Sequence, residues 1–204
     1  MKFKNLKPDF KFNNNNSEIY YYSTFFDKVQ SNSFLDEFIN EIEWRQNSIF
    51  LFGKKHFLPR LVAWYGDRGV NYTYSGIKHS STIWSPSLMF IRNRVEKELN
   101  FKFNSVLMNY YRTGLDSNGW HSDDEKELGK NPVIASISFG SLRKFKLRHK
   151  TMIGVKTKLD LELEHGSLLI MSGETQHFWK HCIPKTKAMI KPRVNLTFRL
   201  VSQN

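Results

Sequence analysis

The hydrophobic rhythm of the chain changes twice, and the changes divide it. Phe34, Leu35, Phe38, Ile39 and Ile42 recur at helical spacing and predict an amphipathic helix from Ser33. Ser33 with Asp36 forms a loose version of an N-terminal capping box. Ser85-Pro86 predicts a second helix start, serine as cap and proline at the first position, with Leu88, Ile91, Val95 and Leu99 as its core stripe. Between the two helices Gly53, Pro59, Gly66, Gly69 and Gly76 punctuate an aromatic stretch, which predicts short strands and hairpins.

After Leu99 the period shortens toward two. Strands are predicted over 103–111, 133–139, 143–149, 157–163, 167–171 and 193–201. Leu159, Leu161 and Leu163 alternate cleanly with polar residues. Many strands after two helices argue for an α+β fold, mainly β with flanking helices: a sheet sandwich or open barrel backed by the helices. No internal repeat or linker is visible. Residues 1–17 read as a mobile basic tail, because the run Asn13–Asn16 has nothing to pack with, and structure is expected from near Ile19. Residues 18–204 then form one compact domain, its first part 18–102 and its second 103–204.

Charge sharpens this picture. The 204 residues carry 31 Lys+Arg against 19 Asp+Glu, a formal net charge of +12. Such an excess favours a polyanionic partner, although an anionic membrane surface or an acidic protein stays open. The single cysteine, Cys182, excludes an intrachain disulfide framework and a thiolate metal cluster and fits a reducing compartment. No apolar run approaches the roughly 18 residues of a membrane-spanning helix, and the lysine-bearing start has no apolar stretch after it, so it does not read as a secretory signal.

Three features could carry chemistry. His121 and Asp123 are two residues apart, so in an extended segment both side chains project to one side and could share a metal ion. His181 lies far downstream, after an apolar segment. Near the end, Arg193, Asn195, Thr197 and Arg199 alternate with Val194, Leu196, Phe198 and Leu200. Two histidines and one carboxylate suit non-haem iron(II) with positions left open. Arginines on the polar face of a strand suit a dicarboxylate, which guanidinium donors bind bidentately. Plainer readings coexist: Asp123, Asp124 and Glu125 as a solvated loop, His165, His177 or His181 as ordinary hydrogen-bonded residues, and Arg193 and Arg199 as partners of carboxylates across a sheet.

Taken together, the pattern over residues 48–200 resembles the AlkB family of nucleic-acid dealkylases, and most of all its animal branch acting on double-stranded DNA, the AlkB homologue 2 branch. Asn109-Tyr110-Tyr111 matches the family's Asn-x-Tyr element, His121-Ser122-Asp123 and His181 match its iron ligands, and the segment from Arg193 to Arg199 matches its closing strand. The resemblance implies a double-stranded β-helix (jelly-roll) core over 103–204 and a nucleotide-recognition extension over 18–102. It implies Fe(II), 2-oxoglutarate and molecular oxygen as cofactor and cosubstrates. His121, Asp123 and His181 would hold the metal; Asn109, Tyr111, Arg193, Asn195 and Arg199 would hold 2-oxoglutarate, with the division of labour between the arginines open.

The same resemblance implies demethylation of 1-methyladenine and 3-methylcytosine, extruded from duplex DNA. Phe52, beside Gly53, matches an intercalating aromatic that fills the vacated stack. Tyr74 matches the base-stacking aromatic, Tyr72 and Asp124 match residues near the extruded base, and Arg60, Lys185 and Lys187 fall in DNA-facing segments. Ser122 stands where the duplex branch carries a basic residue, and Lys185-Thr186-Lys187 replaces a more strongly basic loop. The alternatives are an RNA or single-strand demethylase of the same chemistry and a nonenzymatic binder of damaged DNA. A monomer is expected, intracellular, in the nucleus of a eukaryote or otherwise in the cytoplasm.

Overall fold

The computed structural model describes residues 6–51, 53–74, 77–80 and 82–202, with backbone alone for 49–51, 71–74 and 77–80. The first half contains β1 (Phe10–Phe12), β2 (Glu18–Tyr22), α1 (Lys28–Glu41), β3 (Ser48–Leu51), β4 (Lys54–Phe57), β5 (Leu61–Gly66), β6 (Asn71–Tyr74), β7 (Ile77–Ser80) and α2 (Pro86–Leu99). The second contains β8 (Ser105–Tyr111), β9 (Asn118–His121), β10 (Ile134–Gly140), β11 (Arg143–His149), β12 (Lys158–Leu163), β13 (Ser167–Ser172), α3 (Thr175–Phe178), β14 (Trp179–Ile183) and β15 (Arg193–Arg199). Among the described residues, seven strands form one sheet in the order β1-β2-β13-β10-β15-β8-β5 and four form a second, β12-β11-β14-β9, while β3-β4 and β6-β7 are separate hairpins. Within both sheets neighbouring strands run antiparallel. This is the expected α+β architecture, with two antiparallel sheets and flanking helices, consistent with the jelly-roll core.

Strand parity distributes the side chains into two cores. On β13, Leu168 and Ile170 join the helix-side core, while Leu169 and Met171 join the core between the sheets. On β15, Val194, Leu196 and Phe198 turn toward the helices. Arg193, Asn195, Thr197 and Arg199 therefore face the interior between the sheets, although charged groups rarely sit in such a place. The second helix starts and packs as predicted: Ser85 Oγ accepts from Leu88 N–H, and Leu88, Ile91, Val95 and Leu99 are buried. Each such residue contributes roughly 1.5–3 kcal/mol through burial.

The first helix starts earlier than predicted. Asp27 caps it, its Oδ1 accepting from Gln30 N–H at 2.8 Å, and Ser33 lies inside the helix. The polar first turns carry no apolar stripe, so periodicity hid them. The tail is also shorter than expected. Phe10–Phe12 pairs with β2, Phe12 meets Trp179 edge-on at 5.7 Å, and Trp179 Nε1–H donates to the Asn15 carbonyl at 2.8 Å. The asparagine run does have something to pack with, since Asn15 and Asn16 take left-handed turns (φ 49° and 60°) that bring the chain over Trp179. Among the described residues no helix is long and apolar enough to cross a membrane.

Candidate metal centre

β9 is four residues long, yet its pairing sets the centre. It runs antiparallel to β14 with His121 directly opposite His181, and the two rings meet edge-on at 4.2 Å between centroids. Just past β9, Ser122 Oγ–H donates to the Trp179 carbonyl at 2.8 Å and Asp123 N–H donates to Gln176 Oε1 at 2.9 Å. These bonds hold the chain extended, so Asp123 returns to the His121 side. One ligand atom from each of His121, Asp123 and His181 lies within 4.8 Å of the others. Phe145 stacks on His181 at 5.1 Å and restrains its ring.

The protonation states suit a cation. Burial pushes the Asp123 carboxyl up, but Arg199 beside it, with the two histidines, brings it down to about 2. The Arg199 Nη2–H donates to Asp123 Oδ1 at 2.7 Å. Burial, then the neighbouring His121, pushes His181 down to about 3, and burial also lowers His121. His121 Nδ1 lies 2.8 Å from the Gly119 carbonyl, which can only accept, so Nδ1 carries the proton and Nε2 keeps its lone pair. Two neutral imidazoles and one carboxylate result, the donor set of a divalent transition metal with open positions.

Beside the triad lies a small cavity lined by the triad, Asn109, Tyr111, Arg193, Asn195, Thr197 and Arg199, with Leu107, Phe145, Leu163 and Met171 on its apolar side. Its two arginines are not alike. Arg199 is paired with Asp123. Arg193 is 1% exposed, donates from Nη2 to Ser138 Oγ at 2.9 Å and lies 5.1 Å from the Tyr111 ring centroid, while its Nε and Nη1 have no hydrogen-bond partner. Burial, first of all, lowers its guanidinium to about 10. Donors buried without acceptors are costly, so this end of the cavity fits an anion. A dicarboxylate would fit both features, with the triad and Arg193 as the residues that could hold its two ends.

The model of the 2OG-Fe(II) oxygenase superfamily matches residues 18–199. The chain belongs to this superfamily. Within it, the chain is homologous to two branches of the AlkB family alike. It is 40% identical over 192 residues to "Alpha-ketoglutarate-dependent dioxygenase alkB homolog 3" of Homo sapiens, covering 91% of this chain and 66% of the relative. It is 40% identical over 188 residues to "DNA oxidative demethylase ALKBH2" of Mus musculus, covering 88% and 79%. The expected preference for the AlkB homologue 2 branch is thus not a feature of overall similarity. The oxygenase spans just under two thirds of the human and bovine alkB homolog 3 proteins, 66% and 64%. A solved structure titled "The structure of OsALKBH1" shares its fold, with a TM-score of 0.64, 15% identity and coverage of 98% of this chain and all of that one.

The predicted metal ligands and the residues expected to hold a cosubstrate all line this one cavity. The predicted DNA-facing residues scatter. Arg60 is a correction: it is 2% exposed, and its Nε–H donates to Asn109 Oδ1 at 2.7 Å, so it braces the cavity instead of facing outward. Asp124 is exposed and pairs with Lys150 at 2.8 Å, and Lys185 and Lys187 are exposed. Gly53 occupies the β3-β4 turn with φ +73°, a conformation glycine adopts freely, while Phe52 lies outside the described residues. Tyr72 and Tyr74 sit on β6, described by backbone alone. His165 and His177 are ordinary hydrogen-bonded residues, accepting from Gly140 N–H and Asn131 N–H.

Sequence reading missed three residues. Gln176 is fully buried and fixes Asp123. Ser138 holds Arg193. Arg143 donates to the carbonyls of Thr113, Asp116 and Pro184, tying together the loops after Tyr111 and before Arg193. Its place in step with the apolar Phe145 and Leu147 of β11 was the available signal for Arg143.

Proposed function

We propose that this oxygenase oxidatively demethylates N-alkylated bases in DNA, 1-methyladenine and 3-methylcytosine, in duplex substrate. The observation that carries the chemistry is the His121-Asp123-His181 triad sharing one cavity with the partnerless donors of Arg193. The choice of substrate is supported by relatives at about two-fifths identity whose names state DNA oxidative demethylation. The charge of +12 and the exposed Lys185 and Lys187 favour a polyanion.

When bound, iron(II) with 2-oxoglutarate and molecular oxygen supplies the oxidation of the N-methyl carbon, which leaves as formaldehyde. The chain's own residues supply placement and electrostatics. His121, Asp123 and His181 would hold the ion. Arg199 keeps Asp123 ionised, and the Gly119 carbonyl keeps His121 Nε2 available. Arg193, with Ser138 and Tyr111, would hold the distal carboxylate. Asn195 is pre-set for the same wall, its Nδ2–H donating to Ser136 Oγ and the Ile137 carbonyl, both at 2.8 Å. Leu107, Phe145, Leu163 and Met171 exclude water, which strengthens every polar contact inside.

The second reading is a single-stranded DNA or RNA substrate. Ser122 supports it, because its hydroxyl is committed to the Trp179 carbonyl and it carries no charge for a backbone phosphate. The deciding experiment incubates enzyme, Fe(II) and 2-oxoglutarate anaerobically, admits oxygen, and follows succinate and formaldehyde on matched duplex DNA, single-stranded DNA and RNA, each with one 1-methyladenine. The expected order puts duplex DNA first. RNA or single strands first would transfer the reading to the alternative, and 2-oxoglutarate turnover without demethylation of any of the three would end it.

A further inference from the structure

The β6-β7 hairpin leaves the large sheet after Gly66 and returns at Thr82. A two-stranded hairpin is marginal in water by itself, so its orientation must come from its anchors. Backbone bonds hold the feet to the sheet: Asp67 N–H donates to the Asn104 carbonyl at 2.9 Å, Gly66 N–H to the Thr82 carbonyl at 3.1 Å and Thr82 N–H to the Trp64 carbonyl at 3.4 Å. Side chains tie the two feet to each other and to α2. Asp67, at the outgoing foot, accepts from Arg92 Nη1–H at 2.7 Å and Nη2–H at 3.3 Å. Trp84, at the returning foot, donates from Nε1–H to the same carboxylate at 2.8 Å. The Arg92 guanidinium also lies 4.9 Å from the Trp84 ring centroid. One arginine on α2 thus joins both feet, through a forked ion pair and a cation–π contact that lysine cannot reproduce together.

The clamp is itself held. Arg92 Nε–H donates to Glu96 Oε1 at 3.0 Å, and Glu96, 5% exposed, also accepts from Lys102 at 2.6 Å and Phe103 N–H at 2.9 Å. The Trp84 ring stacks nearly parallel on Phe198, 3° between planes and 6.2 Å between centroids. The neighbours of Phe198 on β15, Thr197 and Arg199, line the metal cavity. The hairpin is therefore referenced to the same strand that sets the cosubstrate wall.

We propose that Arg92, acting through Asp67 and Trp84, is a positioning residue for recognition of the alkylated base: it fixes the β6-β7 hairpin relative to the metal centre. This rests on the nucleic-acid reading above and on β6 carrying Tyr72 and Tyr74, the aromatics expected beside an extruded base. An ion pair that merely stabilised α2 would affect every property of the enzyme alike; a hairpin anchor affects nucleic-acid recognition selectively. The test compares wild type with Arg92→Met, Arg92→Lys, Asp67→Asn and Trp84→Phe in the Fe(II)-loaded full chain.

Misplacing recognition elements by about an ångström costs on the order of tenfold to a hundredfold. Arg92→Met and Asp67→Asn should raise KM for a 1-methyladenine oligonucleotide about tenfold, within that range, with kcat lowered less. KM for 2-oxoglutarate and succinate formation without oligonucleotide should stay at wild-type levels. Arg92→Lys should fall between, and Trp84→Phe, which keeps the ring on Phe198 but loses the bond to Asp67, should show a smaller rise of the same kind. Wild-type KM for the oligonucleotide in Arg92→Met and Asp67→Asn would overturn the proposal, as would parallel losses in oligonucleotide-free turnover. If wild type forms succinate but demethylates no oligonucleotide, the functional reading fails instead.

Discussion

The cavity between the sheets and the hairpin extension solve opposite problems. In the cavity, polar side chains are buried and many are bonded before any ligand arrives: Asp123 to Arg199, Asn109 to Arg60, Asn195 to Ser136, with Gln176 accepting from the Asp123 backbone N–H. Arg199 is paired with Asp123, whereas Arg193, with Nε and Nη1 lacking a hydrogen-bond partner, points to what is missing. In the extension, β4 is exposed along its whole length and stands as a two-stranded hairpin outside both sheets. The difference teaches where each kind of specificity resides. A cosubstrate of fixed shape is met by a rigid, prepaired wall. Under the proposed function, a large, deformable polymer would be met by the hairpins outside the sheets, held at their feet.

The comparison breaks first at the metal ligands. His121→Ala, Asp123→Ala and His181→Ala should each remove several kcal/mol of stabilisation, a loss in turnover on the order of 1000-fold or more, on every substrate. Retained 2-oxoglutarate-dependent turnover and iron content in all three purified variants would show that the triad holds no ion. Next, Arg193→Met should raise KM for 2-oxoglutarate on the order of 100-fold, since truncating a buried charge partner costs roughly 2–5 kcal/mol. An unchanged KM would place the distal carboxylate elsewhere.

Changes in the extension should be smaller and substrate-selective. Phe52→Ala should lower demethylation of duplex DNA several-fold more than that of single strands, because unstacking costs a few kcal/mol that a wedge partly offsets. Equal losses on matched oligonucleotides would remove the wedge role.

The smallest expected effect on activity sharpens the comparison from the structural side. Burial would raise the Glu96 carboxyl, but Lys102, the Phe103 N–H and Arg92 hold it below its ordinary value. The unfolded chain then binds more protons on acidification, so this stabilisation is present above the ordinary glutamate value and is lost as pH falls through the lowered one. Glu96→Gln should cost about 2 kcal/mol at neutral pH and flatten the acid side of a plot of Tm against pH. Cosubstrate turnover should be unchanged. A parallel shift of the whole curve would mean that the charge of Glu96 is not what stabilises.

Much of this was legible in the chain. The α2 cap and stripe follow from Ser85-Pro86 and a strict period, and the polar parity of the closing strand marked a face suited to a dicarboxylate before any sheet was known. β14 was harder: Lys180 interrupts a short apolar segment, and His181 was expected beyond a strand although it lies within one. Arg60 was misplaced because an arginine after proline in a turn-rich stretch reads as exposed, whereas its actual acceptor, Asn109, is remote in sequence.

The sequence by itself determined which residue types were on offer: two imidazoles, one carboxylate and two arginines at strand spacing. Only the tertiary structure decided how they divide. The antiparallel register that sets His121 opposite His181, and the ladder that sets Arg193 opposite Tyr111, bring Arg199 to Asp123 and leave Arg193 without a carboxylate. Local preferences fix spacing along a strand. Pairing between strands distant in the chain is set by how both faces are buried, so that choice belongs to the folded whole.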